Sequence, residues 1–412
     1  MLTRRSLIEA AGAGVALGGS ALGLPRIFAA QAEGVPVSPG IPAGAAAEAA
    51  LEALPGKKPL IRLSYRPPNY ESPLDYFRTP ITPNDQFFIR YHLSNIPETI
   101  DPATYRIEIG GDGANGQTEL TLDDLKKMTA YEVVAVNQCS GNRRGLSNPH
   151  VAGVEWDYGA MGCARWKGAR LKDILGIVGI KPDAIEIAFN GADGPAYEKV
   201  PDFIKSLPVW KAMDDNTIVA YEMNGAPLPH YNGFPARLVA PGWTGTYWMK
   251  HLISITALTK PQGGFWMAPA YRVPLGIFPV VQRFTSQETP GGTNTPITEM
   301  VVNSLITSHS DGAKVKAGKV TVSGLAWDAG YGITNVAISI DGGKTWSEAT
   351  LGDDLGRFAF RPWSFTLDAK KGKNSVMANA SNKIGQAQTP TLLFNPAGYN
   401  NNVMQNITLN VS

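Results

Sequence analysis

Cys139 is the residue of this chain whose surroundings most suggest chemistry. It lies in the segment 137–144 (NQCSGNRR), directly after a stretch of strand composition. A thiol beside two guanidinium groups is expected to exist largely as the thiolate, which is the form that binds a soft metal or acts as a nucleophile. The sequence does not show the base that a nucleophile would need. On generic chemistry alone, a structural cysteine or a disulfide with Cys163 therefore stays open.

Two other segments contain side chains that could bind an anion. In the segment 88–92 (FIRYH), Arg90 and His92 would share one face of a strand, since side chains alternate. The segment 232–242 (NGFPARLVAPG) is rich in turn residues, and its arginine could hold an anionic group. Taken alone, the first is equally typical of a solvated strand face. The second is more typical of a tight turn with surface charges.

Short strands and short helices are expected to position these segments. Residues 86–93 and 131–137 have strand composition, and Ile185, Ile187 and Phe189 alternate as in a strand. Helical spacing occurs at Leu171, Ile174, Leu175 and Val178. Thr121 and Asp124 form a capping-box-like helix start.

The loop at residues 287–296 (QETPGGTNTP) is the best candidate for a domain boundary. After it, alternating apolar residues and the hairpin signal at 341–344 (DGGK) predict an antiparallel β-sandwich of immunoglobulin-like type over 297–412. The first domain is predicted to cover 75–286, and 33–74 to form an extended arm.

The first 32 residues have the features of an export signal. Arg4 and Arg5 are followed by a Gly- and Ala-rich stretch and by a small-x-small cleavage site at 30–32, which indicates twin-arginine export to the periplasm. An ordinary secretory signal or a membrane anchor stays open. Because twin-arginine export carries folded proteins, it suits enzymes whose cofactor is inserted before export.

Composition narrows the function classes. The 412 residues are 43% hydrophobic and 17% charged, which is typical of a globular chain, and the formal net charge is only +2. Without a basic stripe, nucleic acid is not expected as a partner, and no segment after the export signal is apolar for long enough to suggest a membrane. The sequence has no CxxCH, no GxGxxG opening a βαβ unit and no HExxH. Neither haem nor flavin is therefore expected.

Taken together, these segments resemble the sulfite oxidase family of molybdenum enzymes, and within it the haem-free periplasmic sulfite dehydrogenases of bacteria. FIRYH, CSGNRR, GFPARLVAPG and WMKHL occur in the family's order and spacing, and the resemblance extends from about Asp75 to the end. Each motif alone is weak, but the ordered set is specific. The resemblance implies an α+β fold in which a mixed molybdopterin-binding domain is followed by an immunoglobulin-like dimerisation domain.

The resemblance also implies roles for individual residues. One molybdenum–molybdopterin cofactor per chain would be bound through the Cys139 thiolate. The residues implied to face the substrate are Arg90, His92, Arg144 and Tyr271. The residues implied to contact the cofactor are Phe88, Ile89, Arg90, Tyr91, His92, Cys139, Asp193, Asn232, Arg237, Trp248, Met249 and Lys250.

The implied reaction is the oxidation of sulfite to sulfate by a homodimer, with electrons passed to a soluble c-type cytochrome. Reduction of nitrate or of a sulfoxide on the same fold, or a cofactor-free binding module, stays open. Two departures from relatives matter. Asn232 stands where several have histidine, and residues 395–402 (NPAGYNNN) lack an arginine that relatives often supply to the substrate. Arg272 is a candidate to replace that arginine.

Overall fold

The protein consists largely of short strands joined by turns. A computed structural model describes residues 51–278 and 292–412, together with the backbone of two short strands nearer the amino terminus. The predicted export signal and the first half of the predicted boundary loop lie outside the described residues. Within the described residues, no helix is long and apolar enough to cross a membrane.

Sixteen strands precede residue 259 in the described part of the chain. They are β1 Val35–Pro36, β2 Glu48–Ala49, β3 Leu51–Glu52, β4 Leu60–Ser64, β5 Asn69–Glu71, β6 Ile89–Arg90, β7 Arg106–Gly110, β8 Thr118–Thr121, β9 Ala130–Gln138, β10 Met161–Arg170, β11 Glu186–Gly191, β12 Lys205–Pro208, β13 Ile218–Met223, β14 Ala226–Pro227, β15 Arg237–Val239 and β16 Leu252–Leu258. The strands β1 and β2 pair only with each other, and β3 to β16 form the sheets of the first domain.

The first domain contains three sheets, of which the first two share one apolar core and the third has a small cluster of its own. The first has the order β14-β13-β10-β9 with β15 paired to β13, the second β12-β11-β16-β7-β8, and the third β3-β4-β5-β6. The strand β9 pairs with β10 from Gln138 opposite Met161 to Ala130 opposite Ala169. Since β9 ends at Gln138, this buried pairing fixes the position at which Cys139 leaves the sheet.

Three α-helices pack on these sheets: α1 Leu122–Lys127, α2 Leu171–Val178 and α3 Val209–Ala212. The capping box predicted for α1 is present, because the Asp124 backbone N–H donates to Thr121 Oγ1 at 3.0 Å and the Thr121 N–H donates to Asp124 at 3.1 Å. The helix predicted from the spacing of Leu171 to Val178 is also confirmed, with those four apolar residues buried.

The second domain is the predicted β-sandwich. After β17 Arg272–Pro274 and β18 Asn294–Pro296, its strands are β19 Asn303–Ile306, β20 Lys314–Val315, β21 Gly318–Trp327, β22 Ile333–Ser339, β23 Ser347–Glu348, β24 Thr350–Leu351, β25 Arg361–Ala369, β26 Gly372–Asn382 and β27 Gln405–Val411. One sheet has the order β19-β21-β25-β24 and the other β20-β27-β26-β22-β23. Val322, Trp363 and Leu409 are among the side chains that fill the core between them.

The two domains share buried contacts next to Cys139. Trp327 Nε1 of the sandwich donates a hydrogen bond of 2.7 Å to Gln138 Oε1. Arg143 Nη1 donates to Asn303 Oδ1 at 2.8 Å. An unpaired buried polar group is unfavourable, so these bonds fix how the segment after β9 meets the sandwich.

The strand predicted over residues 86–93 is shorter than its composition suggested. Only Ile89–Arg90 is paired, through β5, and Gln86 belongs to a 3₁₀ turn over Asn84–Gln86. The flanking residues leave the sheet. Phe88, Tyr91 and His92 line a cavity, and the carbonyls of Phe87 and Phe88 accept hydrogen bonds from the side chains of Lys57 and Asn232. The predicted strands at 131–137 and 185–189 are confirmed by β9 and β11.

Candidate active site

A cavity that opens to solvent lies where the three sheets of the first domain meet, with about 630 Å³ of space that includes its open mouth. It contains most of the residues implied by the motifs. Those that line it are Phe88, Arg90, Tyr91, His92, Cys139, Asp193, Asn232, Arg237, Trp248, Met249, Lys250 and Tyr271. Residues that the sequence did not single out also line it, namely Phe87, Asn137, Ser140, Phe203, Tyr231, Gly245 and Thr246.

Cys139 lies at the cavity wall as a free thiol. Its backbone N–H donates to Ala160 O at 2.9 Å and its carbonyl accepts from Asn142 at 3.0 Å, so the turn after β9 is held on both sides. Cys163 lies on β10 opposite Val136, in an apolar cluster. Burial raises the pKa of the Cys163 thiol to about 12, so it stays protonated at neutral pH. Only Cys139 is placed to bind a metal in the cavity.

Arg237 and Lys250 are brought together by a tight turn. Gly233 has a φ of +111°, and a Cβ there would lie 3.0 Å from Arg237 Cβ and 3.1 Å from Lys250 Cγ. The backbone N–H of Leu238 donates to Met249 O at 2.8 Å, which aligns the two segments. Any residue with a side chain at position 233 would push the two cations apart.

The cationic side chains of the cavity are only partly compensated. The Arg237 guanidinium packs on Trp166 and Trp248, and burial lowers its pKa to about 9. Burial also lowers the pKa of Lys250, while Asp193 raises it. Arg90 adds a third cation, whereas Asp193 is the only carboxylate that lines the cavity. The cavity therefore favours an anionic ligand.

Aromatic rings form the opposite wall. The His92 imidazole stacks on Phe203 with 3.6 Å between ring centroids, and its Nε2 contacts the hydroxyl of Tyr271. Tyr271 in turn stacks on Tyr399 from the sandwich at 5.4 Å. Burial lowers the pKa of His92 well below its usual value, and Arg90 lowers it further. A neutral imidazole is therefore expected at neutral pH, with its tautomer set by Tyr271.

Three predicted residues lie elsewhere. Ile89 points away from the cavity into a cluster with Leu60 and Tyr70. Arg144 is directed behind the aromatic wall, where it donates to Ala397 O at 2.8 Å and lies over the Tyr399 ring. Arg144 therefore does not line the cavity in this structure, and its role as the second arginine near the metal stays a prediction. Arg272 is bonded to Asn294 and to the Met267 carbonyl, so it does not replace the arginine that segment 395–402 lacks.

Lys57, which the sequence gave no reason to select, supports the cavity from the arm. Its buried Nζ donates to Asn84 O at 2.6 Å, Phe87 O at 3.1 Å and Asn232 Oδ1 at 2.5 Å. Asn232 Nδ2 then donates to Phe88 O at 3.1 Å. The asparagine that stands in place of a histidine is thus fixed by an ammonium 175 residues away in sequence.

We predict that Lys57→Met weakens both the fold and cofactor retention. Three acceptors lose their donor, so the free energy of unfolding should fall by about 2 to 3 kcal/mol. Burial lowers the pKa of Lys57 to about 7, so this loss is to be measured below pH 7, where the amine is charged. The matched control is Lys58→Met, which loses only an exposed ion pair of 3.6 Å with Asp85 and should change little. Urea denaturation and molybdenum content after gel filtration measure the two effects. Equal behaviour of both variants would contradict the role of Lys57.

His251 makes the fold sensitive to acid. Its buried ring contacts the Tyr91 hydroxyl at 2.7 Å and Phe234 O at 2.6 Å, and burial lowers its pKa from 6.5 to about 3. Between these values the unfolded chain binds a proton that the folded chain does not. The contribution to stability is therefore present above pH 6.5 and is lost as the pH falls towards 3, by at most about 1.4 kcal/mol per pH unit.

The test compares denaturation curves of the wild type, His251→Gln and His150→Gln between pH 6.5 and 4.5. His251→Gln should lose stability less steeply with acid than the wild type. His150, which is exposed and paired with Glu155, serves as the control and should leave the slope unchanged. A slope for His251→Gln equal to that of the wild type would show that this ring is not the acid-sensitive group.

The donor set of the cavity fits a molybdopterin cofactor. Asn137 Oδ1, Ser140 Oγ and Arg237 Nε are buried without a protein partner, and all three residues line the cavity. Buried polar atoms are nearly always hydrogen-bonded, so these atoms are suited to a polar ligand. Pterin rings present donors and acceptors, and a phosphate suits the Arg237 and Lys250 pair. The Cys139 thiol provides a soft metal ligand.

Known protein families match both domains. The family described as oxidoreductase molybdopterin binding domain matches residues 92–266. The family described as Mo-co oxidoreductase dimerisation domain matches residues 294–412.

Individual relatives agree with these matches. Sulfite oxidase of Rattus norvegicus is 37% identical over 310 residues, covering 72% of this chain and 54% of the rat protein. The chain thus spans about half the length of that relative. Sulfite oxidase of Arabidopsis thaliana is 32% identical over 317 residues, covering 74% and 79%. The crystal structure of the sulfane dehydrogenase SoxCD from Paracoccus pantotrophus has a TM-score of 0.73 at 25% identity, covering 84% and 85%.

The cavity with one cysteine among its lining residues, the two-domain architecture and the extent of these similarities agree with one another. This chain therefore belongs to the sulfite oxidase family of molybdenum enzymes.

Proposed function

We propose that this protein oxidises sulfite to sulfate in the periplasm with a molybdenum–molybdopterin cofactor and passes the electrons to a soluble c-type cytochrome. The observation that carries the proposal is the placement of the Cys139 thiol in the same cavity as Arg90, His92 and Tyr271. The similarity to sulfite oxidases of animals and plants supports the choice of substrate.

The chain's own residues supply binding and orientation. Sulfite is a small hydrated oxyanion, and its transfer into a partly buried cavity needs fixed positive charge. Arg90 provides that charge at the cavity edge, held by Asn69 Oδ1 at 3.2 Å. The Tyr271 hydroxyl and the neutral His92 share one hydrogen bond beside it, so this pair leaves one further donor for the anion. When bound, the cofactor would supply oxygen-atom transfer and accept two electrons.

The reaction balances as sulfite plus water giving sulfate, two protons and two electrons. We propose a c-type cytochrome as the acceptor because the sequence contains no CxxCH and no cysteine cluster for a second redox centre. Two ferric haems would be reduced for each sulfite consumed. The export signal predicted for residues 1–32 supports a periplasmic location, where soluble c-type cytochromes occur.

We also propose that the protein is a homodimer that associates through residues 297–412, as the match to a dimerisation domain suggests. Light scattering at micromolar concentration should give about twice the chain mass of 44.1 kDa. A monodisperse monomer under those conditions would count against this association.

The experiment uses protein produced with molybdenum cofactor supply and follows sulfite consumption with ferricyanide and with a panel of c-type cytochromes. Sulfate formation coupled to cytochrome reduction is expected. Hydrogen peroxide formed in proportion to sulfite, with no response to any cytochrome, would show that oxygen is the acceptor. Protein that binds no molybdenum and turns over nothing would favour a binding module, and turnover of nitrate or a sulfoxide would favour a reductase.

A second candidate is oxidation of a sulfane sulfur. Two observations favour testing it: the overall similarity to the sulfane dehydrogenase SoxCD, and the absence of an arginine in segment 395–402, which leaves the cavity less positive. Thiosulfate and persulfide compounds belong in the same assay. Faster turnover of these compounds than of sulfite would replace the proposed substrate.

A further inference from the structure

A continuous set of aromatic ring contacts connects the cavity with the protein surface. His92 and Phe203 line the cavity, and Trp266 contacts both, with 5.1 and 5.2 Å between ring centroids. Phe265 contacts Trp266 at 4.9 Å, and 47% of Phe265 is exposed to solvent. Neither Trp266 nor Phe265 lines the cavity. The two residues therefore extend the aromatic wall outwards to the solvent.

Trp266 is held in position from two sides. Its Nε1 donates to Pro201 O at 3.1 Å, and its carbonyl accepts from Lys205 Nζ at 2.6 Å. Lys205 is buried, and its ammonium lies 5.0 Å from the centre of the Tyr271 ring. A buried lysine side chain needs hydrogen-bond acceptors, and the Trp266 carbonyl is one of them. This bond fixes the Trp266 backbone relative to the cavity.

Phe265 lies on an open loop. A Cβ placed on Gly263 would meet no atom within 4 Å, and one on Gly264 would meet only the Gln262 side chain. Exposed aromatic side chains are enriched where proteins associate, and a few such residues contribute most of the binding free energy. Phe265 is therefore accessible to a partner at the outer end of the ring contacts.

We propose that Trp266 and Phe265 form the electron exit of this protein, and that a soluble c-type cytochrome docks against Phe265. The proposal rests on the proposed function, since it needs electrons released in the cavity. Electron tunnelling weakens steeply with distance and with gaps in packing, so closely packed rings favour transfer along this direction. Each electron reduces one ferric haem to ferrous, and the rings themselves stay unoxidised.

The ring contacts run without a break from the cavity to Phe265, so a protein that docks there is well placed to accept electrons from the cavity. Encounters between redox proteins are small and transient, with interfaces below about 1,200 Å². One exposed ring on an open loop suits such an encounter better than a permanent subunit contact. The haem edge of a c-type cytochrome is itself apolar and exposed, which complements Phe265.

The experiment compares the wild type, Phe265→Leu and Phe265→Trp as full-length, molybdenum-loaded proteins. Phe265→Leu keeps an apolar side chain but removes the ring, and Phe265→Trp keeps a ring. The control is Trp346→Leu, which removes a comparably exposed ring from the sandwich hairpin. The acceptors are ferricyanide and the c-type cytochrome that the wild type reduces fastest, and surface plasmon resonance measures the affinity for that cytochrome.

Phe265→Leu should lower kcat/KM for the cytochrome about tenfold, the size of losing one aromatic anchor, and weaken cytochrome binding. Turnover with ferricyanide and the KM for sulfite should stay unchanged, Phe265→Trp should restore cytochrome reduction, and Trp346→Leu should behave as the wild type. An unchanged cytochrome rate in Phe265→Leu, or an equal loss with both acceptors, overturns the proposal. A wild-type protein that does not reduce ferricyanide with sulfite would instead refute the proposed function.

Discussion

Cys139→Ser should reduce sulfite oxidation to background while leaving the fold intact. The thiol is the only cysteine sulfur among the described residues that line the cavity, and a serine hydroxyl is a much harder and less acidic metal ligand. The backbone bonds of residue 139 to Ala160 and Asn142 do not involve the side chain, so the turn should persist. Steady-state turnover, molybdenum content and thermal unfolding measure the three consequences.

Cys163→Ala is the matched control for that substitution. Cys163 lies in an apolar cluster on the next strand, and burial keeps its thiol protonated. Its replacement by a small apolar residue should preserve turnover per bound molybdenum. Full activity in Cys139→Ser, or loss of activity per molybdenum in Cys163→Ala, would mean that the cysteines have been assigned the wrong roles.

Arg90→Gln should lower kcat/KM for sulfite by about thirtyfold to a thousandfold. This corresponds to about 2 to 4 kcal/mol for removing one partner of a charge pair in a partly buried site. Arg90 lies on β6, and its side chain contacts Asn69. Because β6 pairs with β5 through backbone groups, the loss of the Arg90 side chain should not disturb the sheet. Most of the effect should appear in KM if Arg90 binds the ground state and the transition state equally.

Arg272→Gln tests the alternative cation. Arg272 is bonded outside the cavity to Asn294 and the Met267 carbonyl, so sulfite kinetics should change little. Thermal unfolding of both variants shows whether either substitution damages the fold. If Arg272→Gln weakens sulfite binding more than Arg90→Gln does, then Arg272 and not Arg90 is the cation that binds sulfite.

Residues in contiguous motifs could be predicted from the sequence because local signals determine them. The strand β9 and the turn at Cys139 follow from a run of strand-forming residues and from a motif, and the Thr121 capping box is local chemistry within one helical turn. The β-sandwich follows from alternation and turn residues. Each of these features depends on residues close together in the chain.

Side-chain directions and long-range partners could not be predicted in the same way. Lys57 reaches Asn232 across 175 positions, and nothing near either residue signals the contact. Arg144 follows Cys139 closely in the chain, yet the Arg144 guanidinium donates to the Ala397 carbonyl of the sandwich and lies behind the cavity wall. Phe203 joins the aromatic wall only because β12 lies beside the loop that contains Trp266. Tertiary packing decides all three.

Molybdenum-dependent oxidation of sulfite can be measured directly in preparations of the full-length protein that contain graded amounts of molybdenum. For each preparation, sulfate formed and cytochrome reduced are measured during sulfite turnover. The rate of sulfate formation should rise in proportion to the molybdenum content and reach zero without molybdenum. Two cytochromes should be reduced for each sulfate formed. A molybdenum-loaded protein that forms no sulfate, or a sulfate-forming rate independent of molybdenum content, would contradict molybdenum-dependent sulfite oxidation.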